Sequence, residues 1–395
     1  MAMALKTKLK VNKVIKFIKS KRIQKIIQII LFLIIIFNFS SVIWQNKDKY
    51  SANNYWQQYP DFKKIYYHSI YKDKTGTWLP DETLYSYIGG ALIKGANPIL
   101  LNPEVPPFGT YLIGLSALIF NNQHVVILFF GVLDLYLMYL LGKQIYASKI
   151  TPLIPVTIFS LEPIFKNQLI YTPLLDIIQL SFLLGIFYFF NKFILSKSNL
   201  IRQILIINIL LGLFISTKFF GTGFAVVLSI LATLLFYAEF KKIKLFFITL
   251  PISVIILYLN YFKVLIDGYP FNRFLGIQKW IFLYNEGHVT QPFTIWPLLF
   301  LNKWFVWFGN KPVISDPQWL ITWPIITTVS LLTALRSIVK KNIKKEVGIL
   351  IFWILIYLAM MSFVQISARY FVILIPVLYL VSVYGIEQYI IKHNI

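Results

Sequence analysis

The 395-residue chain contains no cysteine. That excludes disulfides, iron–sulfur clusters and thiolate metal sites, and leaves the redox compartment open. Charge is also scarce: 13% of residues are charged against 58% hydrophobic and 17% aromatic, a balance outside that of soluble globular domains. Acids are rarest, 15 against 38 Lys and Arg, for a net charge of +23. In a soluble protein that excess would suggest nucleic acid; in a bilayer it reports orientation and anionic headgroups. No solenoid-type repeat or low-complexity linker interrupts the chain, so one membrane domain over residues 1–395 is expected.

What the chain has in abundance is apolar runs near the ~20 residues that cross a bilayer as a helix. They predict an all-α, polytopic helical membrane protein of about ten spans, at 26–44, 124–142, 145–165, 174–194, 203–217, 219–237, 245–262, 319–335, 347–364 and 370–390. Residues 1–25 carry nine Lys and Arg and no acid, which marks a cytoplasmic tail leading into a retained signal anchor. Two long loops then face outward, 45–123 and 263–318. The second is rich in Trp and Tyr and is expected to hug the headgroups. The first holds six of the fifteen acids: Asp48, Asp61, Asp73, Asp81, Glu82 and Glu104.

Residues 106–120 are apolar but too short to decide by length. If they span, the basic clusters at Lys143/Lys149, Lys192/Lys197/Arg202, Lys241/Lys242/Lys244 and Arg336/Lys340/Lys341/Lys344/Lys345 all fall outside. If they lie flat on the outer surface, all four fall inside, as the positive-inside rule requires. A flat juxtamembrane helix is therefore expected, with both termini cytoplasmic.

Two motifs in the first loop carry candidate chemistry. In Leu79-Pro80-Asp81-Glu82-Thr83-Leu84-Tyr85, Pro80 fixes a turn, Asp81 suits an N-cap position and two adjacent carboxylates open a helix. Further on, Glu104 stands just before Pro106-Pro107-Phe108-Gly109, where the prolines can begin the flat helix. The bland reading of both is a helix start with favourably placed acids.

Together the motifs resemble the first outward loop of the protein O-mannosyltransferases and the related lipid A aminoarabinose transferases, GT-C membrane glycosyltransferases that use lipid-linked donors. In that family an Asp-Glu pair is followed about twenty residues later by an acid, a hydrophobic residue, His, two prolines and Gly. Here the His is missing, and Thr110 replaces the Lys that often follows the Gly. Looser likenesses continue along the chain. Pro173-Leu174-Leu175-Asp176 resembles the family's leucine-leucine-aspartate element without its preceding Arg, for which Lys166 is the candidate substitute. Gly212 to Lys218 resembles a small-residue helix ending in Thr-Lys. His288 to Leu298, with Trp296-Pro297-Leu298, and Ala368-Arg369-Tyr370-Phe371 followed by Pro376 resemble the mannosyltransferases' late loop and penultimate segment.

The resemblance implies transfer of a sugar, mannose or similar, from a polyprenyl- or dolichyl-phosphate donor to an acceptor hydroxyl at the outer face of a prokaryotic cell membrane. Asp81 would be the base of a single inverting displacement, with Glu82 and Glu104 orienting the acceptor or stabilising positive charge, and the clustered carboxylates raising one another's proton affinity. Asp176, Lys218 and Arg369 would serve substrate binding, the two cations neutralising the lipid phosphate. Lys303 at the outer boundary is a further phosphate candidate, and Tyr85, Trp296 and Trp304 would face sugar or lipid. His288 is a substrate-binding candidate and a less favoured metal ligand; a divalent cation on the outer carboxylates stays open. Partners would be the lipid-linked donor, a protein, glycan or lipid acceptor and membrane lipids, with no nucleic acid. Asp134 falls mid-span, where an ionisable group is costly and often functional; a structural role is the favoured reading, with Tyr136 and Tyr139 able to offer it hydrogen bonds. The competing readings are a transporter or flippase of lipid-linked substrates, which the absence of paired broken-helix repeats disfavours, and an inactive scaffold.

Overall fold

The computed structural model describes residues 21–392 except 73–74, 219–220, 288–290, 307–309, 311 and 365. The long helix α1 (Lys21–Gln45) leads into juxtamembrane helices α2 (Tyr55–Tyr67), α3 (Asp81–Ile93) and α4 (Phe108–Phe120). The bundle continues through α5 (Val125–Ile145), α6 (Leu153–Leu161), α7 (Pro163–Ile170), α8 (Asp176–Leu195), α9 (Leu200–Thr217) and α10 (Gly221–Phe236). Next come α11 (Phe240–Thr249) and α12 (Pro251–Leu259), α13 (Phe271–Gly287) and α14 (Ile295–Leu301). The chain ends with α15 (Thr322–Val339), α16 (Lys345–Met361), a 3-10 helix over Ala368–Ile373 and α17 (Ile375–Lys392). A two-stranded ribbon pairs Trp304 with Ile314 and Phe305 with Val313. The protein is an all-α integral membrane protein.

Among the described residues, six helical segments are long and apolar enough to cross a bilayer: α1, α5, α8, α9, α15 and the α11–α12 pair. The other expected spans form helices too, but α10 and α16 have only 16 and 17 residues. The run at 145–165 is not one helix. Pro163 has no N–H to donate and pushes Glu162 into extended backbone (φ −60°, ψ 130°), so the chain breaks there into α6 and α7.

α8 is the central helix. Its sequence is apolar on every face, the pattern of a helix enclosed by others, and it packs against α5, α9 and α16. Several polar side chains inside the bundle bond to neighbouring helices, which lowers the cost of placing them in hydrocarbon. The Asn208 amide donates to Thr249 at 2.8 Å, and Ser253 donates to the Asn208 carbonyl at 2.7 Å. Asp134 accepts a hydrogen bond from Ser181 of α8. This corrects the candidate pairing with tyrosines on its own helix; Tyr136 points outward and is exposed.

The two ends of the bundle differ in charge. At one end Gln28 donates to the Lys149 carbonyl, Lys242 to that of Ile194, and Lys345 pairs with Glu239 at 2.5 Å, so the four basic clusters gather there. At the other end lie the acidic first loop, the starts of α5 and α8 and the end of α9. There Lys49 donates to the Ile170 carbonyl and Asn122 to those of Lys49 and Ala52. α4 starts and finishes at this end, since Gly109 abuts Leu175 and Thr217 while Asn121 bonds Asn53 and the Trp56 N–H. α3 and α4 cross backbone to backbone: a Cβ on Gly114 would meet the Gly89 carbonyl oxygen at 2.2 Å.

Candidate active site

Four charged side chains from distant parts of the chain meet at the acidic end. Asp81 is the first residue of α3; Pro80, rather than Asp81 as expected, occupies the N-cap. Asp176 opens α8, and Lys218 closes α9 as its C-cap. Acids at helix starts and a cation at a helix end each lie where the macrodipole favours their charge. Arg369 sits in the 3-10 helix that precedes α17.

Arg369 bridges the two acids. Its Nη1 lies 2.6 Å from Asp81 Oδ2 and its Nε 3.3 Å from Asp176 Oδ2. The other oxygen of Asp176 pairs with Lys218, whose ammonium also lies 4.8 Å from the centre of the Tyr370 ring. The side chains of Asp176 and Lys218 are 6% and 12% exposed, whereas Asp81 and Arg369 reach 26% and 27%, so the network runs from a buried anchor to an open edge. Burial works against the Arg369 charge, but the carboxylates of Asp176 and Asp81 outweigh it and hold the guanidinium pKa above its ordinary value. Burial lowers that of Lys218, with Asp176 opposing the shift.

Within this network a cation stands between Asp81 and Asp176, and two acids balance two cations. Neither Lys218 nor Arg369 is therefore an unpaired phosphate receptor. Arg369 still has N–H groups beyond the two it commits, since a guanidinium carries five. Asp81 keeps one oxygen, Oδ1, without a hydrogen bond among the described residues.

Glu104 follows an Asn102 side-chain turn, its N–H donating to Asn102 Oδ1 at 3.1 Å. Its carboxylate is bonded to Tyr284 of α13, and its field reaches Tyr66, Tyr71 and Tyr370. Burial, then the charge of Glu104, raises the pKa of both Tyr71 and Tyr284. Tyr85, one turn along α3 from Asp81, is buried, and that burial together with Asp81 raises its pKa. Asp81 and Glu104 thus share a tyrosine-walled site to which both long loops contribute. Tyr71 and Tyr284 were not foreseen; the density of tyrosine in both loops was the available signal.

The remaining expected residues are more dispersed. Glu82 lies a helical step of 100° from Asp81 and its carboxylate has no partner among the described residues. Trp296 donates to Ser362 Oγ at 3.0 Å and Trp304 to the Ile366 carbonyl at 2.9 Å, so these indoles tie the second loop to the segment that carries Arg369. Lys303 is exposed, with no ion pair to the network among the described residues. His288 lies outside the described residues. Among those described, no group of three or more His, Asp or Glu gathers to hold a metal ion, and the two acids that share Arg369 are each bonded to a cation.

No family model and no curated protein matches the sequence. In three dimensions the chain is similar to ArnT from Cupriavidus metallidurans bound to undecaprenyl phosphate, with a TM-score of 0.59 and 12% identity over 83% of this chain and 59% of ArnT. The apo form of ArnT gives a TM-score of 0.55 at 12% identity, over 83% and 58%. The archaeal oligosaccharyltransferase AglB from Archaeoglobus fulgidus, in complex with an inhibitory peptide and a dolichol-phosphate, gives 0.47 at 14% identity, over 78% and 46%. The chain thus spans less than two thirds of ArnT's length, and what it shares is the GT-C fold.

Proposed function

We propose that the protein transfers a sugar from a polyprenyl-phosphate carrier to an acceptor hydroxyl, with Asp81 as general base. The observation that carries this reading is the Asp81–Arg369–Asp176–Lys218 network, which holds one carboxylate at an open edge with an oxygen free to take a proton. The undecaprenyl phosphate bound to ArnT, whose fold this chain shares, supports the carrier class.

In the proposed reaction the acceptor hydroxyl gives its proton to Asp81 Oδ1 as its oxygen attacks the anomeric carbon. The bond from that carbon to the carrier's phosphate oxygen breaks, and its electron pair leaves with the phosphate. Arg369 and Lys218 offer their uncommitted N–H groups to the charge developing there, and a fixed dipole or cation at that point is a large source of rate enhancement. Glu104, with Tyr284 and Tyr71 around it, lines the acceptor or sugar side. The attack inverts the anomeric centre. The sugar is mannose or a related hexose or pentose, and the acceptor a protein, glycan or lipid. The site faces the extracytoplasmic side.

The test is incubation of the purified protein with radiolabelled polyprenyl-phosphate sugars and candidate acceptors. General-base catalysis contributes about a hundred- to ten-thousandfold, so Asp81→Asn should lose about that much transfer while keeping its expression and melting temperature. An Asn variant as active as wild type sinks the assignment. For sidedness, a single cysteine at the exposed Gln57 of α2, in a chain with no native thiol, should react with an impermeant reagent in intact cells. Labelling only after lysis puts the site on the other side.

A further inference from the structure

At the basic end of the bundle, the turn between α8 and α9, the first turns of α9 and the start of α11 border an open groove of about 840 Å³. Lys197, Arg202 and Lys241 form its polar rim, and Leu200, Leu205 and Leu245 its apolar floor. The turn is internally satisfied. Ser196 Oγ donates to the Ser198 carbonyl and accepts the Ser198 N–H, while Asn199 takes a left-handed conformation (φ 56°) that aims the chain into α9.

The charge here is uncompensated. None of the three rim cations has an ion pair among the described residues, and no carboxylate lines the groove. The acid nearest Lys241 in sequence, Glu239, is already held by Lys242 at 3.2 Å and Lys345 at 2.5 Å. The opposite end of the bundle is built differently, because Lys218 and Arg369 there each face a carboxylate. The groove also lies where α8, α9 and α11 begin or end, at the depth of lipid headgroups for helices that cross the bilayer. Snorkelling would explain long cations there, but not their convergence on a groove with an apolar floor.

We propose that this groove binds an anionic membrane phospholipid, its phosphate between Lys197, Arg202 and Lys241 and the start of an acyl chain along Leu205 and Leu245. A free phosphate would engage the rim alone and a zwitterionic lipid would leave the cationic charge uncompensated; an anionic lipid satisfies both parts of the site. Basic pockets between membrane helices favour such headgroups, at about fivefold in affinity for each cation that contributes.

The test is native mass spectrometry of the full-length chain in detergent, titrated with phosphatidylglycerol or phosphatidylcholine. Wild type should retain phosphatidylglycerol in preference to phosphatidylcholine. The K197Q/R202Q/K241Q variant should lose that preference, with affinity falling by about a hundredfold. The R336Q/K340Q/K341Q variant, which removes as many charges elsewhere at the same end, should keep it. Leu205→Trp, which fills the floor and leaves all charge in place, should weaken retention as well. Equal loss in both triple variants, equal retention of the two lipids, unchanged binding in Leu205→Trp, or full displacement by inorganic phosphate would each overturn the proposal. Because binding is read directly, the outcome is independent of sugar transfer.

Discussion

Arg369 donates from Nη1 to Asp81 at 2.6 Å across 288 positions of sequence. The same guanidinium meets Asp176 through Nε, so one planar group sets the spacing of two acids that start different helices. A lysine offers a point charge and cannot present two donors in a fixed fork. Arg369→Lys is therefore expected to fold but to lose more than tenfold in transfer, Asp81 having lost its fixed orientation. Arg369→Ala should also lower thermal stability, because removing one partner of a buried pair costs about 3–5 kcal/mol, here softened by Lys218 remaining on Asp176. Melting temperature and transfer rate measured on both variants check this; a fully active Arg369→Lys would show that the fork geometry is not used.

Much of this fold was legible because long uniform apolar runs leave few alternatives: the runs at 26–44, 124–142 and 174–194 became α1, α5 and α8 within a few residues. The break at Glu162 was missed, although a residue before proline is a readable signal. Its consequence was not readable. The Glu162 carboxylate is buried and accepts hydrogen bonds from Thr322 at 3.2 Å, Trp323 at 3.1 Å and Tyr379, joining α6 and α7 to α15 and α17. Trp323 in turn meets the Phe371 ring edge-on at 5.2 Å, two residues from Arg369. Asp176, Lys218 and Arg369 stood out as charges at the ends of apolar runs, and Asp81 as part of the Pro80-Asp81-Glu82 motif in the first outward loop. That they neutralise one another depends on how helices cross, which one sequence does not encode locally. The same reason defeated the pairing for Asp134: a residue two positions on faces the far side of the helix, and the true partner came from α8.

The α3–α4 crossing sets where Asp81 lies relative to α8. At Gly114 an added Cβ would come within 2.2 Å of a backbone oxygen, which no side-chain rotation relieves. Gly114→Val is expected to destabilise the protein by about 1–3 kcal/mol, the usual cost of overpacking, and to reduce transfer as α3 is displaced. Gly276 in α13 offers the contrast, since a Cβ there meets nothing within 4 Å. Gly276→Ala should be neutral or stabilise by about 0.5–1 kcal/mol through the entropy of the unfolded chain. Thermal unfolding of the two variants side by side tests the crossing; equal effects would mean that contact at Gly114 is not limiting.

His124 supplies a pH dependence. It lies just ahead of α5, with its backbone N–H donating to Asn122 Oδ1 at 2.7 Å and its ring edge-on to Tyr50 at 6.4 Å. Burial, reinforced by the charge of Lys49, pushes its pKa down to about 4 against a hydrogen bond with the Thr172 backbone. In the unfolded chain the imidazole titrates near its ordinary ~6.5. Between those values the unfolded state binds a proton that the folded state refuses, so stability is full above about pH 6.5, falls as the pH drops towards 4, and is then level. The loss attributable to this one group is on the order of 1–3 kcal/mol. Carboxylates titrate over part of the same window but do so equally in wild type and in His124→Gln, so the difference between the two isolates the imidazole. The gap in melting temperature should favour wild type more at pH 7 than at pH 4.5, and a gap that stays constant between those pH values would show that His124 takes its proton equally in both states.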